Sequence, residues 1–182
     1  RAPRSSRTGT MGKFISYREE KVPDPAKTLA AAGPANTGRR NGKRPEAWRS
    51  IAAEEPRRFE ELQNDFIRKS HFEPTLQALE EKSGISFDNM PPALQEVVFS
   101  TAVQHGPTGA TRIISRAVSR IGADKLQLAE AAPESFKQAG QDLIKQVYTI
   151  RKGQFVSSTE RVQAAAKTRL NNEMREALNM LA

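Results

Sequence analysis

The sequence predicts an all-α fold. Large apolar residues recur at three- and four-residue spacing through most of the chain after Pro45. Prolines and glycines fall where helices start and stop. No convincing strand is found, Gln154 to Ser157 being the single short candidate. Residues 1–8 have no apolar periodicity and read as disordered. Thr8 to Glu20 predicts a short helix with Met11, Phe14 and Ile15 on one side. Residues 23–45 are rich in Pro, Gly, Ala, Asn and Arg, with Leu29 the only large apolar residue, and read as a long loop or disordered linker.

From Pro45 the helices follow closely. Pro45 starts one that carries Trp48, Ile51 and Ala52, and Pro56 starts another with Phe59, Leu62, Phe66 and Ile67. Glu73-Pro74 opens a third through Leu76 and Leu79, ending at Gly84. Pro91-Pro92 opens a fourth, with Leu94, Val97, Val98, Thr101, Ala102 and His105 on one face. Gly106 and Pro107 stop it. Thr108 to Ile121 follows, with Ile113, Ile114, Ala117, Val118 and Ile121 in register, and Gly122 closes it. Pro133 begins a long helix through Phe136, Leu143, Val147 and Ile150. Ser157-Ser158-Thr159-Glu160 has the form of a capping box. The last helix then carries Val162, Ala166, Leu170, Met174, Ala177 and Leu181 in one stripe.

This pattern divides the 182 residues into a basic arm and linker, 1–45, and a helical domain, 46–182. The charge is divided too. Residues 1–49 hold 12 Lys+Arg against four Asp+Glu, whereas 50–182 hold 17 of each, so the net +8 resides in the arm. Such an arm attracts a polyanion, whether nucleic acid, an anionic wall polymer or lipid head groups. It lacks interleaved aromatics for base stacking, with Phe14 and Tyr17 its only rings, so nucleic acid is the weaker partner.

Composition excludes several chemistries. There is no cysteine, hence no disulfide, thiol nucleophile or cysteine-bound zinc. Two histidines, His71 and His105, argue against a histidine-built metal site, and no cofactor is expected. No apolar run approaches the roughly 18 residues of a membrane span. No secretory signal is read, because no apolar core follows the basic start. The first residue is Arg1, which is expected of a processed chain or of a piece of something longer.

The helix ending in Gln104-His105-Gly106 delivers two polar side chains at the end of an otherwise apolar rod. Gln104 and His105 are therefore candidates for the rim of a cleft, with His105 as a bonded core histidine the simpler alternative. Sugar hydrolysis would need a pair of carboxylates, and Glu54, Glu55, Asp65 and Glu73 are available. Glu54 and Glu55 precede Pro56, where the helix dipole favours acids. Gln63, Asp65 and His71 complete the candidate set, and no catalytic residue is assigned.

The run Phe59-x3-Gln63-x-Asp65-Phe66-Ile67-x2-Ser70-His71-Phe72-x-Pro74 is followed by Gln95-x-Val97-Val98-Phe99-Ser100-Thr101-Ala102-Val103-Gln104-His105-Gly106-Pro107. Later come Leu143-Ile144-x3-Tyr148-x2-Arg151 and Arg169-Leu170-x2-Glu173-x3-Ala177-Leu178. This order resembles the peptidoglycan-degrading domain of phage lysins and of the C-termini of some type VI secretion spike proteins, over about residues 8–182. The resemblance implies a chitosanase-like fold of the lysozyme superfamily and acid-assisted cleavage of a cell-wall glycan. It also implies action on the bacterial cell wall in the periplasm, and an immunity partner. Gln104 and His105 would line the sugar cleft, with Asp65 or His71 orienting them. In the family the catalytic glutamate and its aspartate precede a Gly-Gly-x-Ser-Tyr-Gly-x-Tyr-Gln-Leu motif, and Thr8 to Phe14 is similar to the segment just after it. Those acids are thus expected ahead of Arg1, in a chain that is a fragment or a degenerate copy. The alternatives are a non-catalytic wall-glycan-binding protein and a basic helical phage protein associated with nucleic acid.

Overall fold

The computed structural model describes residues 10–21, 27, 29, 31–32, 43–127 and 133–182. Residues 1–8 and most of 23–45, read above as disordered or linker, lie outside the described residues. Among the described residues there is no strand, as the apolar spacing predicts, and eight α-helices have both ends defined. They are α1 (Thr10–Lys21), α2 (Lys43–Glu54), α3 (Pro56–Ile67), α4 (Glu73–Ser83), α5 (Pro92–Ile121), α6 (Ala123–Gln127), α7 (Pro133–Gly153) and α8 (Glu160–Leu181). The chain forms two compact units, one up to Ile67 and one from Arg68 to Ala182.

The first unit holds α1 to α3. Ile15, Leu29, Ile51 and Phe59 form its apolar cluster, with Ala47, Trp48 and Ala52 packed on it. Residues 27, 29 and 31 are helical, and Leu29 is completely buried. Trp48 lies between Phe14, tilted with ring centroids 5.3 Å apart, and Phe59, edge-on at 5.0 Å. Arg18 continues the Phe14-Ile15 face of α1 and is itself buried, its guanidinium 5.0 Å from the Phe59 ring centre. Burial pushes its pKa down, partly opposed by Glu55.

The second unit is organised around α5, which packs against α4, α7 and α8. Leu94, Val97, Val98 and Ala102 come from its first limb, and Ile113, Ile114, Ala117 and Val118 from its second. Leu143, Ile144 and Val147 of α7 and Leu170 of α8 close the core. Each such side chain contributes about 1.5–3 kcal/mol by leaving water. The two limbs predicted on either side of Gly106 are present, joined through a kink. Gly106 has φ 70° and ψ 168°, a backbone region that a Cβ forbids. Gly109, one turn beyond His105, leaves room for it: a Cβ there would come within 3.0 Å of the His105 Cβ.

Gly84 caps α4 in the left-handed conformation (φ 65°, ψ 15°), its N–H donating to the Glu80 carbonyl at 2.8 Å. The start of α4 falls at Glu73 with Pro74 in its first turn, as predicted. A π turn at Arg68–Phe72 leads directly into it. A proline ring collides with the carbonyl four residues back, here that of Ser70, and a wider turn just ahead of it relieves that collision. Gln154 to Ser157 is a turn and not a strand, with the Phe155 N–H reaching the Lys152 carbonyl at 3.3 Å. The capping box is not formed either. Helix α8 starts at Glu160 after Thr159, without a side-chain cap, and Gln163 reaches back instead to the carbonyls of Ser158 (2.8 Å) and Val156 (3.2 Å). Val162, expected in the buried stripe, is 47% exposed.

Candidate functional site

A cleft of about 600 Å³ runs along the first limb of α5, with α8 as its other wall and α7 as its floor. Glu96, Phe99, Ser100, Val103 and Gln104 come from α5, spaced at one helical face. Arg169, Glu173, Glu176, Ala177 and Met180 come from α8. Tyr148 and Arg151 rise from α7. A smaller cavity of about 270 Å³ shares Glu96, Phe99 and Met180 with the first and adds Pro92, Gln95, Arg68 and Phe72. The two therefore make one groove, about 18 Å long from Pro92 to Gln104 at the rise of an α-helix.

Arg151 organises the floor. Its register with Ile144, Val147 and Tyr148 carries it into the interior, where it is 1% exposed. Its Nη2 donates to Ser100 Oγ at 3.1 Å and contacts Glu173 Oε2 at 3.1 Å, and its Nε donates to Gln104 Oε1 at 3.2 Å. Ser100 in turn donates to Glu173 Oε2 at 2.9 Å. Arg169 holds the other oxygen of Glu173 at 3.4 Å. The guanidinium lies 4.7 Å from the Tyr148 ring centre. Burial pushes the Arg151 pKa down, opposed by Tyr148 and Glu173. Burial pushes the Tyr148 phenol up to about 12, opposed by Arg151. One nitrogen of Arg151, Nη1, is buried without a hydrogen-bond partner.

Of the five residues predicted from sequence, Gln104 lines the cleft. His105, next along α5, is partly buried and is not among the lining residues. Its Nε2 is buried without a partner. His71 sits in the π turn with its Nδ1 2.7 Å from Ser70 Oγ, between Arg68 and Phe72 of the smaller cavity. Gln63 and Asp65 belong to α3 in the first unit, where Asp65 accepts a hydrogen bond from the Tyr17 hydroxyl. Sequence reasoning missed Ser100, Tyr148, Arg151 and Glu173 as site residues. The available signal was an arginine placed on the apolar stripe of α7. Among the described residues no group of three His, Asp or Glu could hold a metal ion.

His105 gives a pH prediction. Burial first, then Arg151, Arg169 and Arg112, push its pKa below the usual 6.5. The unfolded chain thus takes up this proton before the folded one does as pH falls. Stability from the neutral ring is complete above about 6.5 and drains away below it, toward the lowered folded value. The urea midpoint of the wild type should fall between pH 7 and pH 5 more than that of His105→Gln. Equal falls would show that His105 does not carry this dependence.

The family model for the type VI secretion system spike protein VgrG3-like, C-terminal, matches residues 4–174. The chain belongs to this family. The match includes the groove residues from Pro92 to Gln104, Arg151, Arg169 and Glu173. The type VI secretion system spike protein VgrG3 of Vibrio cholerae serotype O1 (strain ATCC 39315 / El Tor Inaba N16961) is 33% identical over 72 residues. That stretch is 40% of this chain and 7% of the spike protein, so the VgrG3-like chain spans a small part of its curated relative. No described helix is long and apolar enough to cross a membrane.

Proposed function

We propose that this VgrG3-like chain supplies the glycan-holding part of a peptidoglycan-degrading domain with a lysozyme-superfamily, chitosanase-like arrangement, delivered by a type VI secretion spike. The groove carries the reading. Its two cavities abut around Phe99 and Met180 and give a linear, open channel suited to a polymer rather than a closed pocket suited to a small molecule. Its lining suits a sugar chain. Apolar surface from Phe99, Val103 and Met180 takes the flat C–H faces of pyranose rings. Gln104, Ser100 and the charged groups bond to hydroxyl and acetamido groups. Glu173 is committed to two guanidinium partners and serves here to orient Arg151, not to deliver a proton. Membership of the VgrG3-like family and the motif order of the sequence support the same substrate class.

The test is sedimentation of the 182-residue protein with purified bacterial sacculi at low and high salt. Retention in the pellet at both is the expected result, with the basic segment adding affinity that salt removes. Turbidity loss on the same walls reports whether these residues also cleave the glycan. Failure to sediment, with salt-sensitive binding to DNA instead, would sink the proposal.

A further inference from the structure

Within that proposed function, the charges of the groove point to a ligand that carries a carboxylate. At the Gln104 end, Arg151 and Arg169 share the single carboxylate of Glu173. Two guanidinium groups against one acid leave a surplus positive charge there. The buried Arg151 Nη1 makes no geometrically formed hydrogen bond, Tyr148 being the further group the guanidinium engages, and Arg151 lines the cavity. An unpartnered buried N–H is costly and is normally matched by some acceptor. Arg169 lines the same cavity and is 56% exposed along its side chain.

The other end of the groove is acidic on balance: Arg68, which also lines it, is paired with Glu73 at 3.5 Å, and Glu96 and Glu176 add two carboxylates. Glu96 lies eight residues before Gln104 on α5, about 12 Å away, and Glu176 lies seven residues beyond Arg169 on α8, about 10 Å away. The Ser100–Glu173 contact fixes α5 and α8 side by side at the middle. The proximity of Arg169 to His105, and of Gly140 to both Leu94 and Leu181, shows that the two helices run antiparallel. The lining is therefore basic at Gln104, Arg151 and Arg169 and acidic at Glu96 and Glu176. A neutral sugar polymer has no use for this polarity. A glycan bearing carboxylates is attracted to one end and repelled from the other, which fixes its place in the groove.

We infer that the Arg151–Glu173–Arg169 end of the groove is a carboxylate subsite. It distinguishes acid-bearing wall glycan from uncharged N-acetylglucosamine polymers. Arg169 makes the contact, and the buried Arg151 supplies field and fixes Glu173. The acid comes from the lactyl ether of a stem-free muramoyl sugar or from the peptide stem attached to it.

Calorimetric titration of the whole chain with three tetrasaccharides tests this. One is neutral, built only from N-acetylglucosamine. The second alternates with stem-free N-acetylmuramic acid, and the third carries peptide stems on those same sugars. At least one of the acidic ligands should bind about tenfold or more tighter than the neutral one, the strength of a charged hydrogen bond. Which of the two does so assigns the source of the acid. Arg169→Gln should abolish the preference by weakening only the acidic ligand. Glu173→Gln, which removes the competing carboxylate, should increase it, with circular dichroism reporting that each variant is folded. Equal affinity for all three ligands, or an unchanged preference in Arg169→Gln, overturns the subsite and leaves the glycan reading standing. Absence of binding to any of the three overturns both.

Discussion

Arg151→Ala should lower the melting temperature by roughly 10 °C. The substitution deletes the hub that joins α5, α7 and α8: Gln104, Ser100 and Glu173 each lose a contact at once. Removing one member of a buried ion pair costs about 3–5 kcal/mol, because the other charge is left stranded. Glu173 keeps 27% of its side-chain exposure and still has Arg169, which places the cost near the lower bound, about 3 kcal/mol. In a chain of this size each kcal/mol moves the midpoint by about 2–4 °C. Arg151→Lys should recover only part of the loss, since an ammonium cannot fork between Gln104 and Glu173. Thermal melts followed by circular dichroism read both variants. A shift under about 2 °C for the alanine variant would mean that the network adds nothing to stability.

The second large effect lies at the kink of α5. Gly106→Ala should destabilise the protein by about 2 kcal/mol in urea titrations. A Cβ at this position would meet nothing within 4 Å, so crowding plays no part. The cost is the backbone itself, since φ 70° with ψ 168° is open almost solely to glycine. A D-alanine at the same position, introduced by ligation, has the mirror-image preference and should be tolerated. If L-alanine leaves the midpoint unchanged, the two limbs of α5 do not need this angle.

Much of the fold was legible in the sequence because its punctuation acts locally. Pro56 begins a helix, Gly84 and Gly122 end theirs, and the apolar faces of both limbs of α5 are buried as spaced. The capping box was misread because local signals competed. The hydroxyls at Ser157, Ser158 and Thr159 offer several starts for α8, and Gln163 decides among them by reaching back along the turn. Gln154 to Ser157, too short to read as a convincing strand, is a turn.

The cleft was harder to see than the fold. Gln104 stood out because it is polar at the end of an apolar helix. Arg18 and Arg151 were given no site role, although each falls on the buried side of its helix. Arginine tolerates that position when a ring supports its face and acceptors meet its edge. Those acceptors come from distant parts of the chain, Ser100 and Glu173 in the case of Arg151, so spacing within α7 alone could not supply them. Gln63 and Asp65 belong to α3 of the first unit, and the residues lining the cleft to the second.

Trp48 is the sole tryptophan of the chain, and its aromatic neighbours Phe14 and Phe59 belong to the first unit. Fluorescence excited at the red edge of the indole band is thus a private signal from that unit. The second unit holds most of the helix and speaks through the far-ultraviolet ellipticity instead. One unfolding experiment with both detectors therefore follows each unit by its own light. Coincident curves would mark a single cooperative transition, and separate curves would date the loss of each unit in turn.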